Sequence, residues 1–237
     1  MSGINQIVVD QLFPTQPLFP QKTLIDYLSP SNINDPYNVF SVLNYKVKLY
    51  GTYNKYGKIT NTLNYRGYLQ YPNSQVNNLV ATIVGKNDTQ DQKAYKIIEW
   101  VQKNINYNSD FSNYGRDEYW ALPTQTIQKK SGDCEDGAFL IHSMLLAAGV
   151  NPDRIRTYGG LVIDKSVGGL GGHAWTVYKR ETDNQWVLLD WCYNPDDAPI
   201  SQRETFKKYK DYIDSYFYVT LRETVDEKNT WGINIYV

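Results

Sequence analysis

The most constraining feature of this sequence is a short polar segment, Ser131–Ala138, that leads directly into an apolar run ending at Gly149. The change from polar to apolar residues predicts a turn followed by a helix, with Asp133 as the N-cap and Asp136 completing a start that resembles a capping box. Cys134 would then lie at the start of the helix, where unpaired backbone N–H groups and the helix dipole favour a thiolate. We therefore expect a lowered pKa for the Cys134 thiol, although the neighbouring carboxylates oppose this effect.

A thiol at a helix start needs a base, and the chain offers two histidines, His142 and His173. His142 would lie about two turns further along the same helix, too far away to reach the sulfur easily. We expect it to be hydrogen-bonded locally. His173 belongs to the predicted strand Gly172–Tyr178, which is a different element from the helix. His173 is therefore the favoured base.

The strand that carries His173 is predicted to form a hairpin with the apolar strand that follows the polar turn Glu181–Asn184. If that turn is the whole loop, Arg180 pairs with Gln185. Asp190 then lies diagonal to His173 on the same face, within reach of a side-chain hydrogen bond. An even-numbered loop keeps this arrangement, whereas an odd-numbered loop would put the two side chains on opposite faces unless a bulge restores it.

The order of these residues and their local motifs resemble a known family. G-D-C-E-D opens a helix, G-H-A-W opens a strand and L-D-W closes the next strand. This pattern resembles the transglutaminase-like superfamily, and within it the bacterial transglutaminase-like cysteine proteinases, over about residues 90–195. Upstream, Tyr119–Thr126 is similar to the W-x-x-P-x-E-T stretch of that group, with Gln125 where an acid is usual.

The resemblance implies an α+β fold with a papain-like or transglutaminase-like core, in which the catalytic helix packs on an antiparallel β-sheet. It also implies a catalytic triad of Cys134 as nucleophile, His173 as base and Asp190 as the group that orients the base. The thiolate would attack an amide carbonyl to form a thioester, which water or an amine would then resolve. The backbone N–H of Cys134 is the expected donor to the oxyanion, with a side chain from residues 120–125 as the second.

Other residues near these motifs have less certain chemistry. Trp120 and Trp175 are predicted substrate-binding residues, as cleft walls, with burial in the core as the alternative. Cys192 is predicted to be a bystander thiol, the alternative being a disulfide or sulfenate relay with Cys134. No cofactor is expected, and a metal site is disfavoured because two cysteines and two histidines offer no ligand pair at zinc spacing.

We divide the chain into three regions. Residues 1–85 are predicted to form an aromatic, β-rich N-terminal extension with a Pro-rich arm and Tyr-rich strands. Residues 86–200 form the catalytic core, and residues 201–237 complete the same domain with a helix and strands. Further predictions are a helix over Asp88–Ile105, strands over Tyr65–Tyr71, Arg154–Ile163, Tyr216–Leu221 and Ile233–Val237, loops over Tyr107–Tyr119 and Gly168–Gly172, and a short helix over Ser201–Tyr212.

The predicted function is a thiol-dependent acyl-transfer enzyme, most specifically a cysteine peptidase or amidase that acts on protein or peptide amides. The family resemblance drives this preference, because cross-linking is the activity of only some of its members. Two alternatives stay open. One is a protein-glutamine transglutaminase. The other is a catalytically silent structural or assembly protein that binds a protein partner through the aromatic N-terminal region.

Charge and apolar patterning exclude other classes of partner. The formal net charge of −1 gives no basic surface for nucleic acid. No apolar run reaches the roughly 18 residues that a membrane helix needs. The segment Met1–Asp10 lacks the basic and apolar regions of a signal peptide. We therefore expect neither nucleic-acid nor membrane binding, and a cytoplasmic location.

Overall fold

The structure, a computed structural model, describes residues 50–53, 59–63, 65–116, 119–164 and 169–226. In chain order the strands are β1 (Tyr50–Tyr53), β2 (Ile59–Leu63), β3 (Asn106–Tyr107), β4 (Ser131–Gly132), β5 (Ile155–Asp164), β6 (Gly169–Lys179), β7 (Trp186–Leu189), β8 (Tyr212–Val219) and β9 (Thr224–Asp226). The last five strands form one antiparallel sheet in the order β7-β6-β5-β8-β9. A two-stranded antiparallel ladder joins β1 to β2, and a short parallel one joins β3 to β4.

The α-helices of the described residues are α1 (Ser74–Ile83), α2 (Gln90–Asn104), α3 (Asp110–Tyr114), α4 (Pro123–Lys129) and α5 (Cys134–Ala147). The helix predicted over Asp88–Ile105 is confirmed as α2. Thr89 caps it through a capping box with Gln92, because each side chain bonds the other residue's backbone N–H. Among the described residues no helix has the length and apolar character needed to span a membrane.

Helix α5 lies at the centre of the packing, because residues 135–146 are all buried. The helix packs on β5 and β6 of the sheet and also on α1, α2 and α4. Its apolar side chains belong to the same core cluster as Val76 and Val80 of α1 and Ile97 of α2. Gly149, with φ of 76°, follows the helix end as predicted. The α+β class, with a helix packed on an antiparallel sheet, is confirmed.

The hairpin between β6 and β7 has the predicted register. Thr176 pairs with Leu189, and the N–H of Arg180 donates to the carbonyl of Gln185 at 3.0 Å. The even-numbered loop is therefore confirmed. Strand β5 matches the predicted strand, but the loop predicted over Gly168–Gly172 is wrong, since β6 begins at Gly169 and its glycines pair with the end of β5.

Three further predictions fail where local tertiary contacts override the sequence pattern. Instead of a strand over Tyr65–Tyr71, the chain forms a 3₁₀ turn at Tyr65–Tyr68. Instead of a surface loop over Tyr107–Tyr119, β3 pairs with β4 and α3 follows. Instead of a helix over Ser201–Tyr212, two 3₁₀ turns form at Ile200–Gln202 and Phe206–Lys208. There the buried guanidinium of Arg203 donates to the carbonyls of Leu188 and Ala198, which ties the segment to β7 and prevents a regular helix.

The three-region division remains a proposal. The described contacts put α1, which precedes residue 85, inside the main core rather than in an extension. Strands β8 and β9 extend the large sheet, which agrees with a C-terminal segment that completes the same domain. The Pro-rich arm, the Tyr-rich segments before residue 50 and the strand predicted over Ile233–Val237 lie outside the described residues.

Candidate active site

Cys134 is the first residue of α5, as predicted. Just before it, Gly132 packs so closely on Asp136 that an added Cβ would lie 2.6 Å from the Cβ of Asp136. The carboxylate of Asp136 accepts from the N–H of Ala121 at 2.6 Å, and Asp133 makes no side-chain cap bond. The predicted capping box is therefore wrong. The bond from Asp136 to the chain before α4 and the close contact at Gly132 fix the helix start instead.

His173 and Asp190 form a buried hydrogen-bonded pair. The Nε2 atom of His173 lies 2.7 Å from Oδ2 of Asp190, and the two residues are 9% and 1% exposed. Asp190 directly follows β7, on the face predicted by the hairpin register. Because a carboxylate only accepts hydrogen bonds, Nε2 carries the proton in this contact. The other ring nitrogen, Nδ1, is then free of a proton in the neutral ring and can act as a base.

Asp190 accepts more hydrogen bonds than the one from His173. The hydroxyl of Tyr212 donates to Oδ2 at 2.5 Å, and the backbone N–H groups of Cys192 and Tyr193 donate to Oδ1 at 3.1 and 3.2 Å. Burial by itself would raise the pKa of Asp190, but these bonds and the nearby imidazole hold it below its ordinary value. Asp190 is therefore an ionised, fully bonded anchor for the imidazole.

The ring of Trp175 stacks against the imidazole of His173. Its ring lies 5.9 Å from the imidazole at an interplanar angle of 18°, and 4.9 Å from the ring of Tyr212. With 1% of its surface exposed, Trp175 has no surface left for a substrate. The predicted substrate-binding role of Trp175 is therefore wrong, because the aromatic cluster under the sheet encloses the indole. Its position instead limits how the imidazole can tilt.

Trp120 and Gln125 are engaged within the chain. The half-buried indole of Trp120 packs 5.7 Å from the ring of Phe139, in a cluster beside α5. The carboxamide of Gln125 accepts from the N–H of Leu122 at 2.8 Å and donates to the hydroxyl of Tyr119 at 3.0 Å. Gln125 thus caps α4, and no contact supports it as an oxyanion donor. A substrate-binding role for Trp120 stays a prediction.

The thiol of Cys134 lies against the strand that carries His173. The backbone N–H of Ala174, the next residue after His173, lies close enough to the sulfur to favour the thiolate, and the S–H donates to Oε2 of Glu135 at 3.2 Å. Burial, with the nearby charge of Asp133 adding to it, raises the pKa of the Cys134 thiol well above its ordinary value. The expected lowering is therefore wrong, because desolvation outweighs the helix dipole. Cys134 rests as a neutral thiol.

Cys192 lies beside the His173–Asp190 pair rather than across a regular ladder from His173. The chain leaves the strand at Asp190, and the thiol of Cys192 lies 3.7 Å from Oδ1 of Asp190. Burial and the charge of Asp190 raise the pKa of Cys192. Both cysteines are free thiols. A redox relay between Cys192 and Cys134 remains a prediction.

Among the described residues, two groups of side chains bring ligand atoms close enough to hold a metal ion. The first is Asp110, Asp133 and Glu135, and the second is His173, Asp190 and Cys192, with ligand atoms within 4.8 Å of one another in each group. Three carboxylates suit a hard cation, whereas imidazole and thiol suit zinc. The acidic group has no cysteine or histidine at zinc spacing, and its three residues meet only in the folded chain, so no sequence pattern indicates it.

His142 faces away from this chemistry. Its Nδ1 atom lies 2.9 Å from Oγ1 of Thr157 on β5, and the residue is fully buried. Thr157 is bonded to Thr176 of β6, which donates to the carbonyl of Ala138 on α5. Burial lowers the pKa of His142 to about 3. The expected local hydrogen bond within the helix is wrong, because His142 links the helix to the sheet instead.

Tyr212 and Tyr193 are residues of the site that sequence reasoning missed. Their rings lie 6.2 and 5.3 Å from the imidazole of His173, so both enclose it. Tyr212 stood at the end of a predicted helix, which hid it. The high content of aromatic and β-branched residues from Tyr212 to Val219, which is typical of a strand, is the signal that could have found it.

Comparison with known proteins agrees with this arrangement of elements. Residues 77–191 match the family model of the transglutaminase-like superfamily, which confirms the resemblance noted in the sequence. No curated protein matches the chain. Among solved structures, calcium-bound Legionella pneumophila LapG is similar over 65% of this chain and 77% of its own, with 19% identity and a TM-score of 0.49. A cysteine protease candidate from Cytophaga hutchinsonii is similar over 67% of this chain and 52% of its own, with 18% identity and a TM-score of 0.40.

Proposed function

From the transglutaminase-like core that residues 77–191 carry, we propose that this protein is a thiol-dependent acyl-transfer enzyme, and specifically a cysteine peptidase or amidase acting on protein or peptide amides. Cys134 is the nucleophile, His173 the base and Asp190 the group that orients the base. One observation carries the proposal. The sulfur of Cys134 lies near the backbone N–H of the residue that follows His173, while His173 is held by a buried, ionised Asp190.

The raised pKa of Cys134 decides how the thiol is activated. A thiol that rests in the neutral form is a weak nucleophile, because the thiolate is the reactive species. His173 Nδ1 therefore takes the thiol proton as the sulfur attacks the amide carbonyl, rather than in a stable ion pair beforehand. Asp190 supports this step, since it stabilises the imidazolium that forms and holds Nε2–H in place.

The remaining steps of the reaction again use Cys134 and His173. The new sulfur–carbon bond produces a tetrahedral oxyanion, and the backbone N–H of Cys134 at the start of α5 is a donor to it. Collapse breaks the carbon–nitrogen bond, and the imidazolium of His173 gives its proton to the leaving amine. Water, deprotonated by His173, then attacks the thioester and releases the acid and the free thiol.

Two other functions differ from a peptidase in whether the thioester forms, on which group it forms and what then resolves it. A protein-glutamine transglutaminase would form it on a glutamine side chain and pass the acyl group to an amine. A silent scaffold would not form it. The bonds that hold His173 through Asp190 and Tyr212 favour an enzyme, because a scaffold has no physical need for an ionised carboxylate buried beneath an imidazole.

Trapping of the thioester with hydroxylamine tests the proposal directly. The full chain is incubated with a pool of peptides from a digested bacterial lysate in hydroxylamine, which displaces the thiol and leaves a hydroxamate on the acyl group. Mass spectrometry then locates the hydroxamates. Cys134→Ala is the inactive comparison, and Cys192→Ala is the matched control for the other thiol.

A peptidase leaves hydroxamates at new peptide C-termini, and we expect these with the wild-type chain and with Cys192→Ala but not with Cys134→Ala. Hydroxamates confined to glutamine side chains would support the transglutaminase instead. Equal and negligible yields from the wild-type chain and Cys134→Ala would refute an acyl-transfer function.

A further inference from the structure

Tyr107 is an exposed aromatic residue whose position the catalytic scheme leaves unexplained. It is 59% exposed, and the other large exposed hydrophobic side chains of the described residues are Tyr71 and Phe111. Burying an aromatic ring is favourable, so a ring left open beside a reactive thiol calls for an explanation.

The short ladder between β3 and β4 fixes where Tyr107 lies. Tyr107 pairs with Gly132, two positions before Cys134, and the N–H of Asn108 donates to the carbonyl of Gly132 at 3.0 Å. The segment that holds Tyr107 therefore runs alongside the turn that presents the nucleophile.

A second aromatic ring completes the link to Cys134. The ring of Tyr107 lies 5.9 Å from the ring of Trp191 at an interplanar angle of 41°. The indole N–H of Trp191 donates to the backbone carbonyl of Cys134 at 3.4 Å, and Trp191 is 6% exposed. Trp191 is thus a buried ring held beside Cys134, and the exposed ring of Tyr107 packs against it.

We propose that Tyr107 and Trp191 form a subsite for an apolar, preferably aromatic, side chain on the substrate residue that supplies the attacked carbonyl. This inference rests on the acyl-transfer function proposed above. In the thioester that residue is covalently attached to the sulfur of Cys134, so its side chain must lie among the groups nearest to that atom. Trp191 is nearly enclosed and holds Tyr107 in place, so the exposed ring of Tyr107 offers its face and edge to an incoming ring, which is the arrangement that aromatic pairs prefer.

The charges around Tyr107 indicate which side chains this subsite rejects. Burial and the nearby Cys134 and Asp133 raise the pKa of the Tyr107 hydroxyl, so the phenol stays neutral. The nearby carboxylates of Asp133 and Glu135 repel a carboxylate on the substrate. The subsite therefore favours Phe or Leu and disfavours Asp in the substrate.

A set of N-acetyl aminoacyl chloromethyl ketones with Phe, Leu, Gly or Asp as the amino acid tests this subsite. The sulfur of Cys134 displaces chloride and forms a thioether, which mass spectrometry of the full chain quantifies. The quantity compared is the rate for the Phe reagent divided by the rate for the Gly reagent. Because this ratio is taken on one variant at a time, it cancels changes in the reactivity of the thiol.

We expect a ratio of about ten for the wild-type chain, as one aromatic contact contributes about this factor. Tyr107→Ala lowers the ratio to near one, and Tyr107→Phe keeps it, since the ring and not the hydroxyl makes the contact. Phe111→Ala is the matched control, because Phe111 lies on the next short helix, α3, and is itself 68% exposed. It leaves the ratio unchanged.

The proposal is overturned if Tyr107→Ala keeps the wild-type ratio, or if the wild-type chain shows no preference for Phe over Gly. Failure of the underlying function gives a different result. Chloroacetamide, which has no side chain, would then alkylate Cys134 equally fast in the wild-type chain and in His173→Ala. That outcome would show that His173 does not activate Cys134. The subsite proposal rests on that activation and would be refuted with it.

Discussion

Asp190 is the side chain on which the geometry of the site depends most directly. It accepts from His173, from Tyr212 and from two backbone N–H groups, and it is 1% exposed. Each of these donors favours the ionised carboxylate, so together they outweigh the cost of burying it. A carboxylate held by these bonds cannot reorient to bond a different tautomer of His173.

Asp190→Asn is therefore expected to lower the rate of hydroxamate formation by about 10²- to 10⁴-fold, because an amide can either accept from Nε2–H or donate to an unprotonated Nε2, and the second bond permits the wrong tautomer. Tyr212→Phe removes one donor and keeps the charge, so its loss should be much smaller. The measurement is the trapping rate on the peptide pool. Equal rates for Asp190→Asn and the wild-type chain would contradict the role of Asp190.

Asp133 opposes the chemistry of its neighbour, because its charge adds to burial in raising the pKa of Cys134. We expect Asp133→Asn to lower the pKa of the Cys134 thiol and to speed its alkylation by chloroacetamide near neutral pH. Burial raises the pKa of Asp133 itself to about 6. The wild-type and variant rates should therefore converge below that pH, where the wild-type side chain is also neutral.

The check is a pH–rate profile for each thiol by mass spectrometry, with Cys192 in the same sample as the internal reference. Profiles for Cys134 that superimpose above pH 6 would show that Asp133 does not control the thiol.

At the scale of elements, the contact between α5 and the sheet sets the position of Cys134 relative to His173. His142, Thr157, Thr176 and the carbonyl of Ala138 form a buried hydrogen-bonded chain from the helix through β5 and β6 and back to the helix. Thr176 is in the same strand as His173. The chain of bonds therefore fixes the distance between the two elements that carry the reacting groups.

The buried His142 should make folding sensitive to acid. Its folded pKa of about 3 lies below the ordinary value of 6.5, so between these values the unfolded chain binds a proton that the folded chain does not. Stability therefore falls as pH drops below about 6.5, by about 2 kcal/mol at pH 5 from this group alone.

His142→Asn keeps a polar partner for Thr157 and cannot titrate. The difference in unfolding free energy between pH 7 and pH 5, from urea denaturation, should be about 2 kcal/mol smaller in this variant. An unchanged difference would mean that His142 is not the acid-sensitive group.

Helix α5 also meets the segment after β7 at very close range. A Cβ added at Gly137 would lie 2.1 Å from Nε1 of Trp191, a distance that real side chains do not adopt. Gly137→Ala should therefore cost about 1–3 kcal/mol in unfolding free energy, since Trp191 must move. It should also disturb the ring contact with Tyr107.

The double variant Gly137→Ala, Trp191→Phe tests the cause. The smaller ring leaves room for the methyl group, so the cost of the two changes together should be less than the sum of the single costs. Strictly additive costs in urea denaturation would show that the two residues do not compete for space.

At the scale of the whole molecule, the sequence predicted the elements that have strong local signals. The α2 helix has regular apolar spacing and a capping box, and the hairpin has a clear polar turn, so both were found, together with the contact of His173 with Asp190. The state of Cys134 could not be predicted in this way. Burial by distant elements decides its pKa, and no local pattern reports that burial.

The residues whose positions were not predicted were missed for the same physical reason. Tyr212 bonds Asp190 from a strand far along the chain, and Arg203 replaces a predicted helix with contacts to β7. Tyr107 was assigned to a surface loop because its neighbours are polar, whereas a two-residue ladder puts it beside the nucleophile. Such contacts depend on the complete fold.

One core cluster includes residues from Val76 to Ile200, which supports a single folding unit over this range. We therefore expect urea unfolding to be a single transition, with tryptophan fluorescence and far-ultraviolet circular dichroism giving coincident curves. Two separated transitions would contradict the proposal that the C-terminal segment completes the same domain.

The position of β8 in the sheet affects when the protein can become active during its synthesis. Strand β8 pairs with β5, and its first residue, Tyr212, donates to Asp190. On the ribosome, Cys134, His173 and Asp190 are therefore all added to the chain before the residue that supplies this bond. Because the ribosome adds only about 5–20 residues per second, the unfinished chain exists for a measurable time. Under the proposed function, the unfinished chain lacks the Tyr212 bond to Asp190, so we expect it to be a poorer catalyst than the complete chain.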